Sequence, residues 1–306
     1  MNPICKNRVV AITGAGRGLG RAYAIAFAAA GARVVVNDLG TDVTGMGQAD
    51  DVATKVVEEI RSAGGEAVAD HSDITTTEGA DHLVALALEH FGQLDVLVCN
   101  AGAYRVDWLW ETTVEQWDQL MRVHLRGLFC PATRAIAHWR ERAAGGETVD
   151  ARLICITSQS GLFGAAGSAA YDTAKAGVAG FVIVAAKELE PLGVCVNGVA
   201  PRAQTRMSDV AAENFPRLGV SLPGDGSRSS SAGKTRRRAI PEDVAPLVVW
   251  LGSEASSGVT GRILTATAGR ITLIENWANG PSIRTDDAFD AEELTPLVTG
   301  LIRQSS

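Results

Sequence analysis

The sequence is poor in cysteine, and the few cysteines it has are widely spaced. Five occur in 306 residues, at Cys5, Cys99, Cys130, Cys155 and Cys195, and none forms a Cys-x-x-Cys pair. Without paired spacings, neither a disulfide framework nor a metal site is expected. Three of the five lie in apolar, strand-like runs, so we interpret them as reduced core thiols of a cytoplasmic protein.

Long hydrophobic runs and an excess of positive charge are also absent. The longest apolar run, 176–186, is far shorter than the ~18 residues that cross a bilayer, and the first ten residues contain no secretory signal. A net charge of −7 and an isoelectric point near 5.3 argue against a general nucleic-acid binder. We therefore expect neither a membrane nor a nucleic acid as partner.

Apolar strands and helix-like segments alternate along the first 200 residues. Six runs are predicted as strands, at 8–13, 32–37, 66–70, 94–100, 151–158 and 194–200. Strands that are apolar throughout are buried on both faces, as in a parallel sheet. The alternation predicts an α/β fold with a doubly wound parallel sheet, in one domain spanning 1–306. Within it, 208–238 is predicted as a surface-loop insertion and 270–306 as a C-terminal extension.

A glycine-rich turn, TGAGRGLG at 13–20, follows the first predicted strand and opens a helix. Gly14, Gly18 and Gly20 leave room for a pyrophosphate beside free N–H groups of the helix, with Arg17 and Leu19 between them. The spacing is not the GxGxxG fingerprint, so a plain strand-to-helix turn is the alternative.

Asp38 ends the second strand, 18 residues past Gly20. That distance suits a carboxylate on the adenosine ribose, which repels the 2′-phosphate of NADP and favours NAD. A helix cap or turn is the plainer interpretation of Asp38. Arg17 argues for NADP, because its cation could pair with the 2′-phosphate. We weigh Asp38 more heavily.

Tyr171 and Lys175 are four residues apart in a helix-like segment, so their side chains share a face. A free phenol has a pKa near ~10, and a nearby ammonium lowers it by favouring the phenolate. We therefore expect Lys175 to lower the pKa of Tyr171. The alternative is an ordinary pair on a solvent-exposed helix, without a catalytic role. The other motifs in the sequence decide between the two interpretations.

The sequence resembles the short-chain dehydrogenase/reductase family over about residues 6–269. The resemblance is carried by TGxxxGxG at 13–20, Asp38, DI at 73–74, CNAG at 99–102, Ser158, YxxxK at 171–175, VNGVAP at 196–201 and PEDVAPLVVWLGSEASSGVTG at 241–261. It implies a single Rossmann-type sheet of about seven parallel strands, and a site at the carboxyl ends of the strands.

The resemblance also implies roles for the candidate residues. Tyr171 is expected as general acid–base, Ser158 as hydrogen-bond donor to the substrate oxygen, and Lys175 as ligand of the nicotinamide ribose. The other cofactor-binding residues it implies are Gly14, Arg17, Gly18, Leu19, Gly20, Asp38, Asp73, Ile74, Asn100, Ala101, Gly102, Pro201 and Thr205. Asp73 is expected at the adenine amino group, with a helix N-cap as its plainer role, and Thr205 at the carboxamide.

His124 departs from the family, which has an asparagine in this place as its fourth catalytic residue. The asparagine helps to hold a water beside the lysine for a proton relay. Histidine also donates and accepts hydrogen bonds and titrates near neutrality. We therefore predict that His124 serves the relay, with simple packing as the alternative.

Several stretches resemble one branch of the family, which includes the (3R)-hydroxyacyl-CoA dehydrogenase part of peroxisomal multifunctional enzymes. They are VVVNDLG, RVHLRG and GRILTATAGRI. The resemblance implies NAD-dependent oxidation of a 3-hydroxyacyl-CoA and a homotetramer or homodimer. A basic cluster, Lys234, Arg236, Arg237 and Arg238, could meet the phosphates of CoA or form a solvated charge run. A 3-oxoacyl carrier-protein reductase, a steroid or terpene alcohol dehydrogenase, and a non-catalytic dinucleotide-binding protein stay open.

Overall fold

The computed structural model describes residues 3–49, 51–220, 237–275, 277–285, 288 and 290–304. By its contacts the chain divides into two compact units, Met1–Ile274 and Glu275–Ser306. All the strands of the described chain lie in the first unit. The one-domain organisation over 1–306 stays a prediction.

The first unit is built on an eight-stranded sheet in the order β3-β2-β1-β4-β5-β6-β7-β8. The strands are β1 (Val9–Thr13), β2 (Arg33–Asn37), β3 (Glu66–Asp70), β4 (Val96–Cys99), β5 (Ala151–Ile156), β6 (Val194–Pro201), β7 (Ile263–Thr267) and β8 (Arg270–Ile274). The first seven pair in parallel, which confirms the Rossmann-type sheet. The sheet reverses its direction of growth between β1 and β4, where a crevice opens at the strand ends.

Helices of the first unit lie on both faces of the sheet. The helices of this unit are α1 (Gly18–Ala29), α2 (Asp51–Ser62), α3 (Thr77–Phe91), α4 (Val114–Met121), α5 (Gly127–Ala144), α6 (Gln159–Phe163), α7 (Ala169–Leu189), α8 (Arg206–Asn214) and α9 (Ala245–Gly252). The second unit contains α10 (Leu294–Gln304). One apolar cluster packs α1, α2 and α9 against the sheet, and another packs α3, α5 and α7. Central strands β1, β4 and β5 are buried at every position, as their unbroken apolar runs require.

The structure changes the prediction at both irregular regions. Residues 206–214 form α8, so the surface loop predicted from 208 begins with a helix, and Phe215 beyond it is fully buried. Residues 221–236 lie outside the described residues. In the predicted extension, 270–274 is the antiparallel edge strand β8, because Gly269 at φ +64° reverses the chain after β7.

One described helical stretch, Ala169–Leu192, is long and apolar enough to cross a membrane by length and composition. It contains α7, whose buried residues pack in the core of the first unit. Core helices of α/β proteins are apolar for this reason, so the composition of the stretch is weak evidence for a membrane span.

Candidate active site

The crevice between β1 and β4 holds a cavity of about 320 Å³. Every candidate catalytic and cofactor-binding residue lines it, from the glycine turn at one end to Ser158, Tyr171 and Lys175 at the other. Parallel strands bring this about, because loops distant in sequence meet where the strands end. The juxtaposition of the residues is observed, whereas their individual roles stay predictions.

Close backbone contacts shape the glycine turn, and they leave no room for a side chain at Gly14 or Gly20. Gly14 and Gly18 adopt left-handed backbone angles, with φ of +64° and +53°. A Cβ atom at Gly14 would lie 2.7 Å from the Cα of Ala101, and one at Gly20 would lie 2.2 Å from the carbonyl oxygen of Gly14. The turn is therefore packed directly against the loop after β4, and α1 begins at Gly18.

Asn100 ties these two loops together. Its Nδ2 donates hydrogen bonds to the carbonyl oxygens of Thr13, at 2.9 Å, and Gly14, at 3.0 Å. The hydroxyl of Thr13 in turn accepts from the backbone N–H groups of Asn100 and Ala101. The Asn100 side chain thus holds the glycine turn in shape.

Asp38 occupies the end of β2 and is bound by backbone amides. Its carboxylate accepts from the N–H of Gly16 at 2.8 Å and from the N–H of Gly40 at 2.7 Å. The plainer turn role is therefore present in the structure. Each carboxylate oxygen still has a second lone pair for a ribose hydroxyl. Arg17 bends back, and its Nη1 donates to the carbonyl oxygen of Thr41 at 3.0 Å.

Asp73 does not cap helix α3, contrary to its plainer interpretation. The N-cap is Thr76, whose hydroxyl accepts from the N–H of Gly79. Asp73 instead binds the N–H and the hydroxyl of Thr75 with one oxygen, and its other oxygen lies 3.5 Å from Nη1 of Arg122. Ile74 next to it is buried.

At the other end of the cavity, Tyr171 and Lys175 lie on one face of α7, as their spacing predicts. Nζ of Lys175 is 5.8 Å from the centre of the Tyr171 ring and donates to the carbonyl oxygen of Ile156 at 2.6 Å. Ser158 is the N-cap of α6. The hydroxyl oxygens of Ser158 and Ser160 are 3.0 Å apart.

The expected lowering of the pKa of Tyr171 by Lys175 is wrong. Burial raises the pKa of Tyr171 to about 12, although a hydrogen bond with Ser158 opposes the rise. Burial also lowers the pKa of Lys175 to about 8. Both shifts have one cause, since a water-poor site disfavours the phenolate and the ammonium alike. Lys175 is therefore only partly charged above neutrality, and it does not offset the burial of the phenol.

His124 lies on a π-helical turn, Arg122–Arg126, inserted between α4 and α5. It is buried, and its ring meets the Tyr171 ring edge-on with 5.2 Å between the centres. Nε2 lies 2.7 Å from the carbonyl oxygen of Ala103 and 3.3 Å from its backbone nitrogen, and the shorter distance, to the oxygen, assigns the ring proton to Nε2. Nδ1 is buried and has no hydrogen-bond partner among the described residues. π-turns of this kind concentrate at functional sites.

The structure also corrects the expectation that His124 titrates near neutrality. Burial, and then the charge of Lys175, hold the pKa of His124 well below its usual value of 6.5. The ring is therefore neutral at physiological pH. Its Nδ1 is left as a hydrogen-bond acceptor.

Thr205 and Pro201 lie where β6 leads into α8. Pro201 ends the strand, and Thr205 caps the helix by accepting from the N–H of Ser208. Its Cγ2 would lie 4.0 Å from a Cβ at Gly18, so the start of α8 faces the glycine turn. Contact of Thr205 with a carboxamide stays a prediction.

Three residues at the site were missed. Ser160 lies beside Ser158, with 3.0 Å between the two hydroxyl oxygens. Asp172, next to Tyr171, binds Ser168 and the N–H of Ala165 and so fixes the loop between Ser158 and Tyr171. Arg206 follows Thr205 and lines the cavity. Adjacency to a motif residue was the signal that could have identified the last two.

The family model of the short chain dehydrogenases matches residues 8–215, most of the sheet and all of the glycine turn and catalytic candidates. The chain belongs to the short chain dehydrogenase family. It is therefore an oxidoreductase that acts on a CH–OH group with a nicotinamide dinucleotide as cofactor.

Three curated relatives illustrate the range of the family around this chain. Peroxisomal multifunctional enzyme type 2 of Mus musculus is 40% identical over 81% of the chain, which spans only 30% of that enzyme. Hydroxyacyl-CoA dehydrogenase ChsB1 of Mycobacterium tuberculosis is 37% identical over 87% of the chain and 79% of its own length. A 3-oxoacyl-[acyl-carrier-protein] reductase of Synechocystis is 40% identical, with 86% of the chain and 97% of the reductase covered.

The fold is also close to that of a solved structure. A short chain dehydrogenase from Mycobacterium avium aligns with a TM-score of 0.83 and 41% identity, covering 98% of this chain and 96% of that one.

The residues of the cavity fit a dinucleotide. The glycine turn is a cradle that any Cβ at Gly14 or Gly20 would fill, and Asp38 stands at the strand end beside it. The buried Nδ1 of His124 leaves an acceptor free at the reaction end. Ser158, Tyr171 and Lys175 would lie beside the nicotinamide half, and Asp38 and Asp73 beside the adenosine half.

Proposed function

We propose that the protein is an NAD-dependent dehydrogenase that interconverts a 3-hydroxyacyl-CoA and its 3-oxoacyl-CoA. The observation that carries the proposal is the meeting of Ser158, Tyr171 and Lys175 with the glycine turn in one cavity. Relatives named for hydroxyacyl-CoA dehydrogenase and multifunctional peroxisomal activity support the substrate class.

In oxidation, Tyr171 takes the hydroxyl proton of the substrate while the carbinol carbon gives up a hydride. Ser158 donates a hydrogen bond to the same oxygen and holds it as charge develops. The cofactor, when bound, supplies the acceptor for the hydride and a positive ring. In reduction Tyr171 returns the proton. The phenol must be ionised to act as a base, which burial alone opposes.

His124 is proposed as a positioning residue for this proton transfer. Its neutral ring packs edge-on against Tyr171, and Ala103 fixes the proton on Nε2. Nδ1 then accepts one hydrogen bond, so the ring can take part in a relay only as an acceptor at that atom. This is a narrower role than a titrating histidine would have.

The preference for NAD rests on Asp38. Its carboxylate stands at the end of β2, and Arg17 is engaged with the carbonyl oxygen of Thr41. The proposal expects Asp38→Ala to raise the affinity for NADP relative to NAD at least tenfold, as measured by fluorescence titration with both cofactors. A wild-type enzyme that already prefers NADP to NAD would overturn the proposed role of Asp38.

The decisive experiment is a substrate panel followed at 340 nm. It compares (3R)- and (3S)-hydroxyacyl-CoA, 3-oxoacyl carrier protein and free secondary alcohols, each with both cofactors. We expect the fastest turnover with a 3-hydroxyacyl-CoA and NAD. A preference for the carrier-protein thioester and NADPH would favour the reductase instead, which the Synechocystis relative supports.

The basic cluster near the loop supports CoA binding only weakly. Lys234 and Arg236 lie outside the described residues. Arg237 is exposed and forms an ion pair with Asp243, at 2.7 Å for one of its nitrogens. The carboxylate of Asp243 thus partly neutralises the charge of Arg237 that would bind the phosphates of CoA.

We also propose a homotetramer or homodimer in the cytoplasm. Large apolar side chains stay exposed on the two helices that would form such an interface, Phe129 on α5 at 56% and Val184 on α7 at 55%. Light scattering on the purified protein tests the assembly, and a monomer at micromolar concentration would contradict it.

A further inference from the structure

Residues 40–48 form a loop that crosses the crevice and that the proposed chemistry does not use; it is called the crossing loop below. It leaves the sheet after β2, which lies on the β1 side of the crevice. On the other side it meets the segment after β4, where the N–H of Tyr104 donates to the carbonyl oxygen of Val43 at 2.9 Å. Four of its residues line the cavity, namely Thr41, Asp42, Val43 and Gly45. The crossing loop therefore joins the two sides of the crevice.

The crossing loop is held together by its own hydrogen bonds. The carboxylate of Asp42 accepts from the N–H and the hydroxyl of Thr44 and from the N–H of Met46. At the base of the loop the N–H of Ala49 donates to the carbonyl oxygen of Leu39 at 3.3 Å, so the two ends are close. Compact loops of this kind with adjacent ends are Ω-loops. Such a loop can swing on its base without losing its internal bonds.

Gln119 of α4 holds the tip of the crossing loop from the far side. Its Nε2 donates to the carbonyl oxygen of Thr44 at 2.8 Å. The next residue, Gly45, has φ of +83°, and a Cβ there would lie 3.1 Å from the Cβ of Ala103. None of residues 41–49 is buried, so little apolar packing adds to these contacts. Segments held in this way open at low cost in free energy.

We propose that the crossing loop is a gate for the dinucleotide and that Gln119 is its latch. The glycine turn lies at one end of the cavity and Tyr171 at the other, so a dinucleotide that reaches both lies between the crossing loop and the strand ends. The tip has to leave Gln119 when the dinucleotide enters and again when it departs. This inference rests on the proposed dinucleotide function.

The test measures the rates at which NADH binds and leaves, by stopped-flow fluorescence on the full-length protein. Gln119→Leu keeps the size of the side chain and removes the donor to Thr44. We expect the association and dissociation rate constants both to rise at least fivefold, with Kd unchanged within threefold. A latch that closes the free and the bound protein alike changes the rates and not their ratio.

Gln116→Leu is the matched control, because Gln116 is a glutamine of the same helix. Its Oε1 accepts from the N–H of Thr113 at 2.9 Å, and it does not line the cavity. Both rate constants should stay within twofold of the wild type. Gly45→Ala opens the gate by another route, since the new Cβ presses on Ala103, and it should also raise both rate constants. It decides the question if Gln119→Leu does not fold.

Two results would overturn the gate alone. One is unchanged rate constants in a folded Gln119→Leu. The other is faster dissociation with unchanged association, because the crossing loop would then be a fixed wall that contacts the bound cofactor. A wild type that binds NADPH and not NADH would correct the proposed cofactor, and the same comparison with NADPH then decides the gate. A wild type that binds neither removes the proposed function and the gate together.

Discussion

The two ends of the cavity are built differently. At the proposed binding end, beside the glycine turn, the carboxyl oxygens of Asp38 and Asp73 accept hydrogen bonds from backbone N–H groups and a hydroxyl. At the proposed reaction end, Lys175 and His124 are buried and Tyr171 is half-buried, with few polar partners.

The difference follows from what each end has to do. An end that only binds is best preorganised and satisfied before the ligand arrives. An end that transfers a proton needs groups whose protonation can change, and burial shifts the pKa values of such groups. The two ends thus match the roles proposed for them, with hydrogen-bonded carboxyl groups beside the glycine turn and shifted pKa values at Tyr171 and Lys175.

The largest effect expected is on turnover. Tyr171→Phe removes the proton-transferring oxygen and keeps the ring that packs against Tyr104 and His124. We expect kcat to fall by about 100-fold or more while the affinity for NAD is retained. Single-turnover kinetics and NAD titration measure the two quantities. Near-normal turnover would remove Tyr171 from the chemistry.

Lys175→Met should stabilise the protein below pH 8. The folded-state pKa of Lys175, about 8, is lowered from 10.5, so the unfolded chain binds more protons between these values. The wild type therefore gains stability as pH rises through that window, by about 3 kcal/mol at most, and the variant does not. Urea unfolding at pH 7.5 and 9.5 compares them. If the free energy of unfolding changed equally with pH in both proteins, the lowered pKa of Lys175 would be contradicted.

At the binding end, Gly14→Ala should act through both strain and contact. The left-handed φ costs about 1–3 kcal/mol in stability, and the new Cβ would press on Ala101. We expect ADP affinity to fall at least tenfold by calorimetry. Gly92→Ala is the control, because Gly92 has φ of +77° and nothing within 4 Å of a Cβ. If Gly92→Ala weakens ADP equally, the close fit of the turn is not what matters.

The smallest effect is expected at His124. His124→Asn keeps a hydrogen-bonding side chain and should change kcat by less than about threefold. His124→Phe keeps an aromatic ring against Tyr171 but removes both nitrogens, and we expect a loss of about tenfold. The difference between the two variants isolates the hydrogen bonds from the packing. Equal activities would show that His124 only packs.

The sequence predicts the binding end better than the reaction end. Gly14, Asp38 and Asn100 follow buried strands, and parallel strands place such positions together whatever the details of packing. The direction of the Tyr171 pKa was wrong because helical spacing shows which groups are near, whereas desolvation depends on everything packed around them.

Two further features were not predicted. The π-turn could not be recognised from the sequence, whereas strand β8 could have been. The π-turn at Arg122–Arg126 adds one residue within a helical pattern and leaves no clear period. Strand β8 had a visible signal, since an alternating segment follows Gly269.

The most direct measurement is the titration of the tyrosines by absorbance at 295 nm, with and without NAD. The chain has only three tyrosines, and burial raises the pKa of Tyr23 and Tyr104 further than that of Tyr171. We predict that no tyrosine ionises below pH 10 in the free protein, and that one ionises below pH 9 with NAD bound and is missing in Tyr171→Phe. A silent spectrum with NAD bound, or ionisation already in the free protein, would contradict the account.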